Sequence, residues 1–271
     1  LNPCGKPGIR QKEEAMQHEI VSRDEWLKAR VALLASEKAF TRAQEEMSAR
    51  RRALPWVKVE KEYVFDSRSG KMTLSNLFDG RSQLFIKHFM MSPGQEQQCV
   101  GCTLEVDHVD GLLEHLQNHD VSYVAVARAP IAEIETLRKA MGWRFPWVSS
   151  FYSDFNFDFH VSFTPKEVAQ KNAFYNFRHT HAGLEDLSGE SIFYKDDDGQ
   201  VYHTYSAYSR GGEQFLGIYG YLDVMPKGRN ETGPRYNLVD WARPRPTYGK
   251  GGSVGNNGRY HAPDCACSAH T

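Results

Sequence analysis

Two hydrophobic rhythms run along this chain. Between Ser22 and about Ala53, Trp26, Val31, Leu34, Phe40 and Met47 recur among many charges, and Glu25 follows Ser22 at the three-residue spacing of a capping box. The pattern predicts one or two helices, ended at Leu54-Pro55. Three arginines at 50–52 read as a solvated helix end, where cations suit the helix dipole. From Trp56 the rhythm shortens. Trp56, Val57, Val59, Tyr63, Val64 and Phe65 predict strand, residues 67–70 a turn, and residues 74–78 a short helical turn ended by Gly80. "SQLFIKHFMM" is an apolar run of strand length, suited to a buried central position.

A helix is expected over 103–118, with Leu104, Val109, Leu112, Leu113 and Leu116 on one side. "VSYVAVARA" predicts a second buried strand, "PIAEIETLRKAMG" a helix with proline at its start and glycine at its end, and "WRFPWVSS" a third strand. Strand and helix alternating at this spacing argue for βαβ units and an α/β fold. "SDFNFDF" alternates Asp154, Asn156 and Asp158 with aromatics, as a strand with one polar face does. Thr164-Pro165 starts a helix, and Asp198-Gly199 sits between two alternating strands, a hairpin signal. After Pro226 the periodicity is lost in a Pro/Gly/Asn-rich stretch, expected to be an extended or mobile tail. The expected organisation is an extension at 1–15, with Met16 the more ordinary start, a helical arm at 16–53, an α/β domain at 54–225 and an irregular tail at 226–271.

The 271 residues are 40% hydrophobic and 25% charged, a globular composition. A formal net charge of −1 gives no field directed at nucleic acid or an anionic membrane, and no run approaches the ~20 apolar residues of a bilayer span. Five cysteines, an odd number without a secretory signal, favour a reducing, cytoplasmic setting. There a close cysteine pair points to metal or redox chemistry rather than to a staple.

That pair is Cys99 and Cys102, in "MMSPGQEQQCVGCTLEV", between the first buried strand and the following helix. Unpaired N–H groups of a first helical turn stabilise a thiolate, lowering a cysteine pKa below its free value of about 8.5. Cys99 is then the attacking thiolate and Cys102 the resolving one. The same spacing supplies half of many zinc sites, and it also occurs in purely structural thiols.

The run "LPWVKVEKEYVFDSRSGKMTLSNLFDGRSQLFIKHFMMSPGQEQQCVGCTLEVDHVDG" resembles a thioredoxin-like family of unknown function described as predicted dithiol–disulfide oxidoreductases. The likeness continues through "RAPIAEIETLRKAMGWRFPWVSSFYSDFNFDF" and "SIFYKDDDGQVYHTYSAYSRG", covering residues 19–240. It implies a thioredoxin-like sandwich over 54–225 with Cys99 and Cys102 at the active-site position. Two departures from ordinary thioredoxins stand out. "EDLSGESIFYKD" has no proline where a cis-proline would sit beside the dithiol, and an aromatic insert occupies 143–178.

Other residues are candidates for support. His88 lies in the strand leading to Cys99 and is placed to tune the thiolate. Asp154 is a proton carrier for Cys102, and Arg210 in "YSRGG" a partner for an anionic oxygen. His179 and His181 form a His-x-His pair, and His203 lies in the hairpin. With Cys99, Cys102 and His88 they make the donor set of an alternative copper or zinc site. Against these stand a hydrogen-bonded core histidine at 88 and solvated surface residues at the rest. Cys265 and Cys267, with His261 or His270, are a second candidate metal set, read more readily as unstructured thiols. "KDDDG" lacks the rest of a calcium loop, and no P-loop or GxGxxG motif is present.

The expected function is thiol–disulfide exchange at Cys99 and Cys102, with no cofactor, a protein or small-molecule disulfide or thiol as substrate, and a separate electron donor. A peroxide-reducing enzyme with a sulfenate on Cys99 uses the same residues. A metal-binding protein and an interaction protein that forms a homodimer through the helical arm are the readings from other classes.

Overall fold

The computed structural model describes residues 18–263. The chain divides into two compact units between Ala53 and Leu54. Among its described residues the first holds a single helix, α1 (Arg23–Arg52). Its capping box forms as the sequence predicts: the Glu25 N–H donates to the Ser22 hydroxyl, and the Ser22 N–H donates to the Glu25 carboxylate. None of its residues is buried, so Trp26, Val31, Phe40 and Met47 stand exposed.

The second unit is built on an eight-stranded sheet. In chain order its elements begin with β1 (Val57–Lys58), the hairpin β2 (Val64–Ser67) and β3 (Gly70–Thr73), and β4 (Gln83–His88). Next come α2 (Val100–Val106), α3 (Leu113–Asn118), β5 (Val121–Ala127), α4 (Ile131–Met141) and β6 (Trp147–Ser149). Short helices α5 (Phe155–Asp158) and α6 (Pro165–Ala169) precede a small separate hairpin, β7 (Ala173–Tyr175) and β8 (Arg178–Thr180). The long hairpin β9 (Gly189–Lys195) and β10 (Val201–Tyr208) returns to the main sheet, followed by α7 (Gly217–Leu222), β11 (Ser253–Val254) and β12 (Tyr260–His261).

The sheet order is β1-β10-β9-β4-β5-β6-β2-β3. β4 and β5 are parallel and joined through helices, whereas β9 runs antiparallel to β4 and pairs with β10 as a hairpin. A βαβ unit followed by a ββ unit about a central β4 is a thioredoxin-like sheet, and the α/β expectation holds. The hairpin turn is where Asp198-Gly199 placed it, with Gly199 at φ +83°, a region open to glycine at no steric cost.

Successive side chains on a strand point to opposite faces, so β4 feeds two cores. Phe85 and Phe89 face one containing Cys99, Cys102, Val106, Ile134, Trp143 and Trp147, beneath α2, α3 and α4. Leu84 and Ile86 face the other, with Phe65, Phe78, Phe155, Phe159 and Phe193.

Three expectations are corrected. The helix over 103–118 is instead α2, a single 3-10 turn at Val109–Gly111, and α3. Asp107 accepts from the Trp143 indole N–H, and Asp110 from the backbone N–H groups of Arg144 and Phe145, ties that hold the chain out of a continuous helix. "SDFNFDF" is not a strand. Phe155 and Phe159, four apart, are both buried, so a helical spacing lay beneath the alternation. The stretch after Pro226 is poor in regular structure, but up to residue 263 it is no free tail. Ala242, Val254 and Tyr260 are buried against Val100 of α2. The extension at 1–15, Cys265, Cys267 and His270 lie outside the described residues.

Candidate active site

β4 ends at His88 and the chain loops back so that Cys99 caps α2 and Cys102 lies in its first turn. The Cys102 N–H donates to Cys99 Sγ at 3.4 Å, and the Met90 N–H to Cys102 Sγ at 3.5 Å. Met90 Sδ lies 3.6 Å from Cys99 Sγ. Both thiols are free, with residue exposures of 6% for Cys99 and 2% for Cys102. α2 has only seven residues, so these local N–H groups matter more here than a long helix dipole.

The two thiols are driven apart in acidity. The Cys102 thiol donating to Cys99 Sγ is the strongest influence on Cys99. Burial opposes it, the N–H groups of Cys102 and Gly101 and the Lys87 charge reinforce it, and Cys99 falls from the ordinary 9.0 to about 7. Cys102 is pushed well above that value, first by burial and then by its hydrogen bond to Cys99. One thiol is therefore readily ionised near neutrality while its neighbour keeps its proton, an arrangement suited to attack by the first and resolution by the second.

Beneath them lies an ion cluster that the sequence reading missed. Lys87 is wholly buried, with Nζ 2.5 Å from Glu105 Oε2 and 2.7 Å from Glu190 Oε1. Sheet register explains one contact, because Lys87 and Glu190 are directly opposed on β4 and β9. Helix spacing explains the other, since Glu105 is one turn beyond Cys102. Burial raises Glu105 to about 8, with the Lys87 charge pulling the other way. Lys87 itself is held well above its ordinary value: burial is the largest influence and acts to lower it, but Glu105, Glu190 and Cys102 outweigh that. Gly212 lies against this cluster, where a Cβ would come within 2.8 Å of the Glu190 carboxylate.

The sequence candidates scatter. His88, next to Lys87, points to the opposite face. Its Nε2 is 2.9 Å from Ser191 Oγ and its ring stacks on Phe155 and Phe159. His203 is on that same face, 2.8 Å from Ser206 Oγ and edge-on to Phe159. Asp154 is exposed and paired with Lys61 at 2.9 Å. Arg210 does line the cavity over the dithiol, but it is bound to Glu213 at 2.8 Å. His181 lines that cavity as well, whereas His179 is 3.3 Å from the Asn172 carbonyl. The structure thus brings Arg210 and His181 to the dithiol cavity, and leaves His88, His203 and Asp154 away from it. Among the described residues no group of three or more His, Cys, Asp or Glu is arranged to hold a metal ion. His261, on β12, is exposed.

The cavity is open to solvent and has a volume of about 810 Å³. Its walls come from β7–β8 and the loop after it, from residues 209–216, and from two stretches of the C-terminal segment, 237–239 and 256–258. The last of these forms a strap. The Val100 N–H donates to the Gly258 carbonyl at 3.0 Å, the Tyr260 N–H to the Gln98 carbonyl at 2.9 Å, and Cys99 bridges Arg259 in antiparallel fashion. At the start of β9 the residue before Gly189 is Ser188, so no proline stands there.

A family described as "Bacterial protein of unknown function (DUF899)" matches residues 15–248, and the chain belongs to that family. No curated protein matches it. Among solved structures it is similar to peroxidoxin BcpB from Mycobacterium tuberculosis, at 14% identity and a TM-score of 0.41 over 60% of this chain and 94% of that one. It is similar to peroxiredoxin Q from Xanthomonas campestris at 16% identity and a TM-score of 0.40, over 62% and 96% of the two chains. The mitochondrial 2-Cys peroxiredoxin from Plasmodium falciparum gives 12% and 0.38, over 62% and 92%. No helix among the described residues is long and apolar enough to cross a membrane.

Proposed function

We propose that this protein is a thiol–disulfide oxidoreductase that uses Cys99 as attacking thiolate and Cys102 as resolving thiol. The observation that carries this reading is the split between two adjacent buried thiols, with Cys99 lowered to about 7 and Cys102 raised, over a buried lysine. The Cys99 thiolate attacks one sulfur of a substrate disulfide. That S–S bond breaks, a Cys99–substrate disulfide forms, and one substrate thiolate leaves. Cys102 then gives up its proton and attacks Cys99 Sγ, releasing the second thiolate. Two electrons pass to the substrate and the pair ends as a Cys99–Cys102 disulfide, which an external dithiol reductant restores. Lys87 lies close enough to favour charge on both sulfurs, and Glu105, with its pKa near 8, is placed to exchange a proton at neutral pH.

The test pairs a titration of accessible thiols with metal analysis of untagged protein purified without chelator. Two thiols that oxidise together, little metal, and loss of disulfide reduction in Cys99→Ser are expected. About one copper or zinc per chain with both thiols masked would overturn the proposal in favour of a metal protein. Rapid consumption of hydrogen peroxide with no reduction of disulfides would instead assign the same sulfurs to peroxide reduction.

A further inference from the structure

Both sulfurs are almost wholly covered, and the route to them is the cavity described above. At about 810 Å³ it falls in the range of small-molecule sites, roughly 300–1,000 Å³. Its walls are additions to the β4–β5–β9–β10 core: the β7–β8 hairpin, the turn over Glu190, and the strap. The strap is anchored as well as apposed. The Tyr260 hydroxyl donates to the Gly251 carbonyl at 3.0 Å, and Arg235 holds the Val254 carbonyl at 2.9 Å. Attack on a disulfide needs the three sulfurs close to a line, so a disulfide fixed in the surface of a folded protein would have to bring its backbone through these walls. A free, slender disulfide has no such obstacle.

Charge along the wall adds a second property. The cavity's acids are engaged: Glu105 and Glu190 on Lys87, Glu213 on Arg210 at 2.8 Å and Arg229 at 3.5 Å. Arg178, on β8 at the cavity wall, has no ion pair among the described residues. Arg178 is thus a cation on the wall without a carboxylate partner among those residues, and a guanidinium offers two parallel donors to a carboxylate.

Resting on the dithiol reading, we infer that the substrate is a low-molecular-weight disulfide bearing a carboxylate, held by Arg178, and that the strap excludes disulfides of folded proteins. Cys99 makes the mixed disulfide with this molecule by the exchange given above, with no further reactant.

The experiment uses the full chain carrying Cys102→Ser, which stops the reaction at the mixed disulfide on Cys99. Oxidised glutathione, cystamine and insulin are the probes: small and anionic, small and cationic, and a protein. Adduct formation is followed by mass spectrometry, and each rate is divided by that of the same probe with a simple thiol. Oxidised glutathione should exceed cystamine by about tenfold, the worth of one charge-assisted hydrogen bond. Insulin should fall at least about a hundredfold below glutathione, as misplaced reacting atoms do. Adding Arg178→Gln should bring the glutathione-to-cystamine ratio to about unity, and adding Tyr260→Ala should raise the insulin rate toward the small-probe values. Insulin reacting as fast as glutathione in the parent, or a ratio unmoved by Arg178→Gln, overturns the inference while the dithiol reading stands. If no probe modifies Cys99 although its thiol still titrates, the dithiol reading fails and the inference with it.

Discussion

Lys87 and His88 are consecutive on β4, both are buried, and they live in different environments. Lys87 faces the α2 side, where two carboxylates and two thiols surround it. His88 faces the aromatic side, against Phe155 and Phe159, with Ser191 as its hydrogen-bond partner. On the first face burial is offset by charge: Lys87 stays protonated because its counterions outweigh desolvation. On the second, burial has no opposing charge, and it lowers His88 to about 3, with Lys87 adding to the effect. A period of two along the strand separates a charged environment beside the thiols from an aromatic one. Proximity in sequence to the candidate thiol therefore says nothing about proximity in space unless parity is counted.

The comparison breaks most visibly at Lys87. In Lys87→Met, Glu105 and Glu190 lose the cation between them, and denaturant unfolding should show a loss of about 3–5 kcal/mol. The Cys99 thiolate absorbance should titrate above its value near 7, because Lys87 is one of the groups holding it down. An unchanged titration in a folded variant would mean that Cys99 owes its acidity to Cys102 and the Gly101 N–H without help from Lys87.

The second test is a pH profile. His88 goes from 6.5 when unfolded to about 3 when folded, so its contribution to stability is present above 6.5 and is lost as pH falls through the window down to 3. Removing the ring in His88→Leu should flatten stability against pH across that window. It should cost about 1–3 kcal/mol at neutral pH, and leave the Cys99 titration where it was. A shifted thiol titration would put His88 back among the active-site residues.

The smallest effect belongs to Asp154. Its pairing with Lys61 is exposed, so Asp154→Asn should change stability by no more than about 1 kcal/mol and leave the rate of thiol exchange unaltered. A rate that fell with unchanged stability would restore the proton-carrier role expected from sequence.

Much of the sheet was legible because buried strands announce themselves: "SQLFIKHFMM" and "VSYVAVARA" became β4 and β5, and Asp198-Gly199 became the hairpin turn. The cysteine pair was legible from its spacing and position. The cluster below it was not, although a signal existed. Lys87 is the one charged side chain in an apolar run that reads as buried on both faces, and such a lysine requires counterions. Glu105, one turn after Cys102, shares its side of α2; Glu190 can be found only from the β4–β9 register, which is a property of the folded sheet. Periodicity also failed for the strap, since its binding uses backbone hydrogen bonds and a few isolated apolar residues, Ala242, Val254 and Tyr260, and neither leaves a repeating pattern.

The union of Gln98 and Val100 with Tyr260 and Gly258 joins stretches that lie far apart along the chain. Contacts of that span close large loops, and chains tend to make them after local turns and hairpins are in place. During refolding the two sulfurs should thus pass through a stage in which α2 exists but the strap has yet to dock. In that interval any oxidant, whatever its size or charge, has access to them. Selectivity would then be a property acquired late, and the redox state in which the chain emerges would depend on how fast docking outruns oxidation.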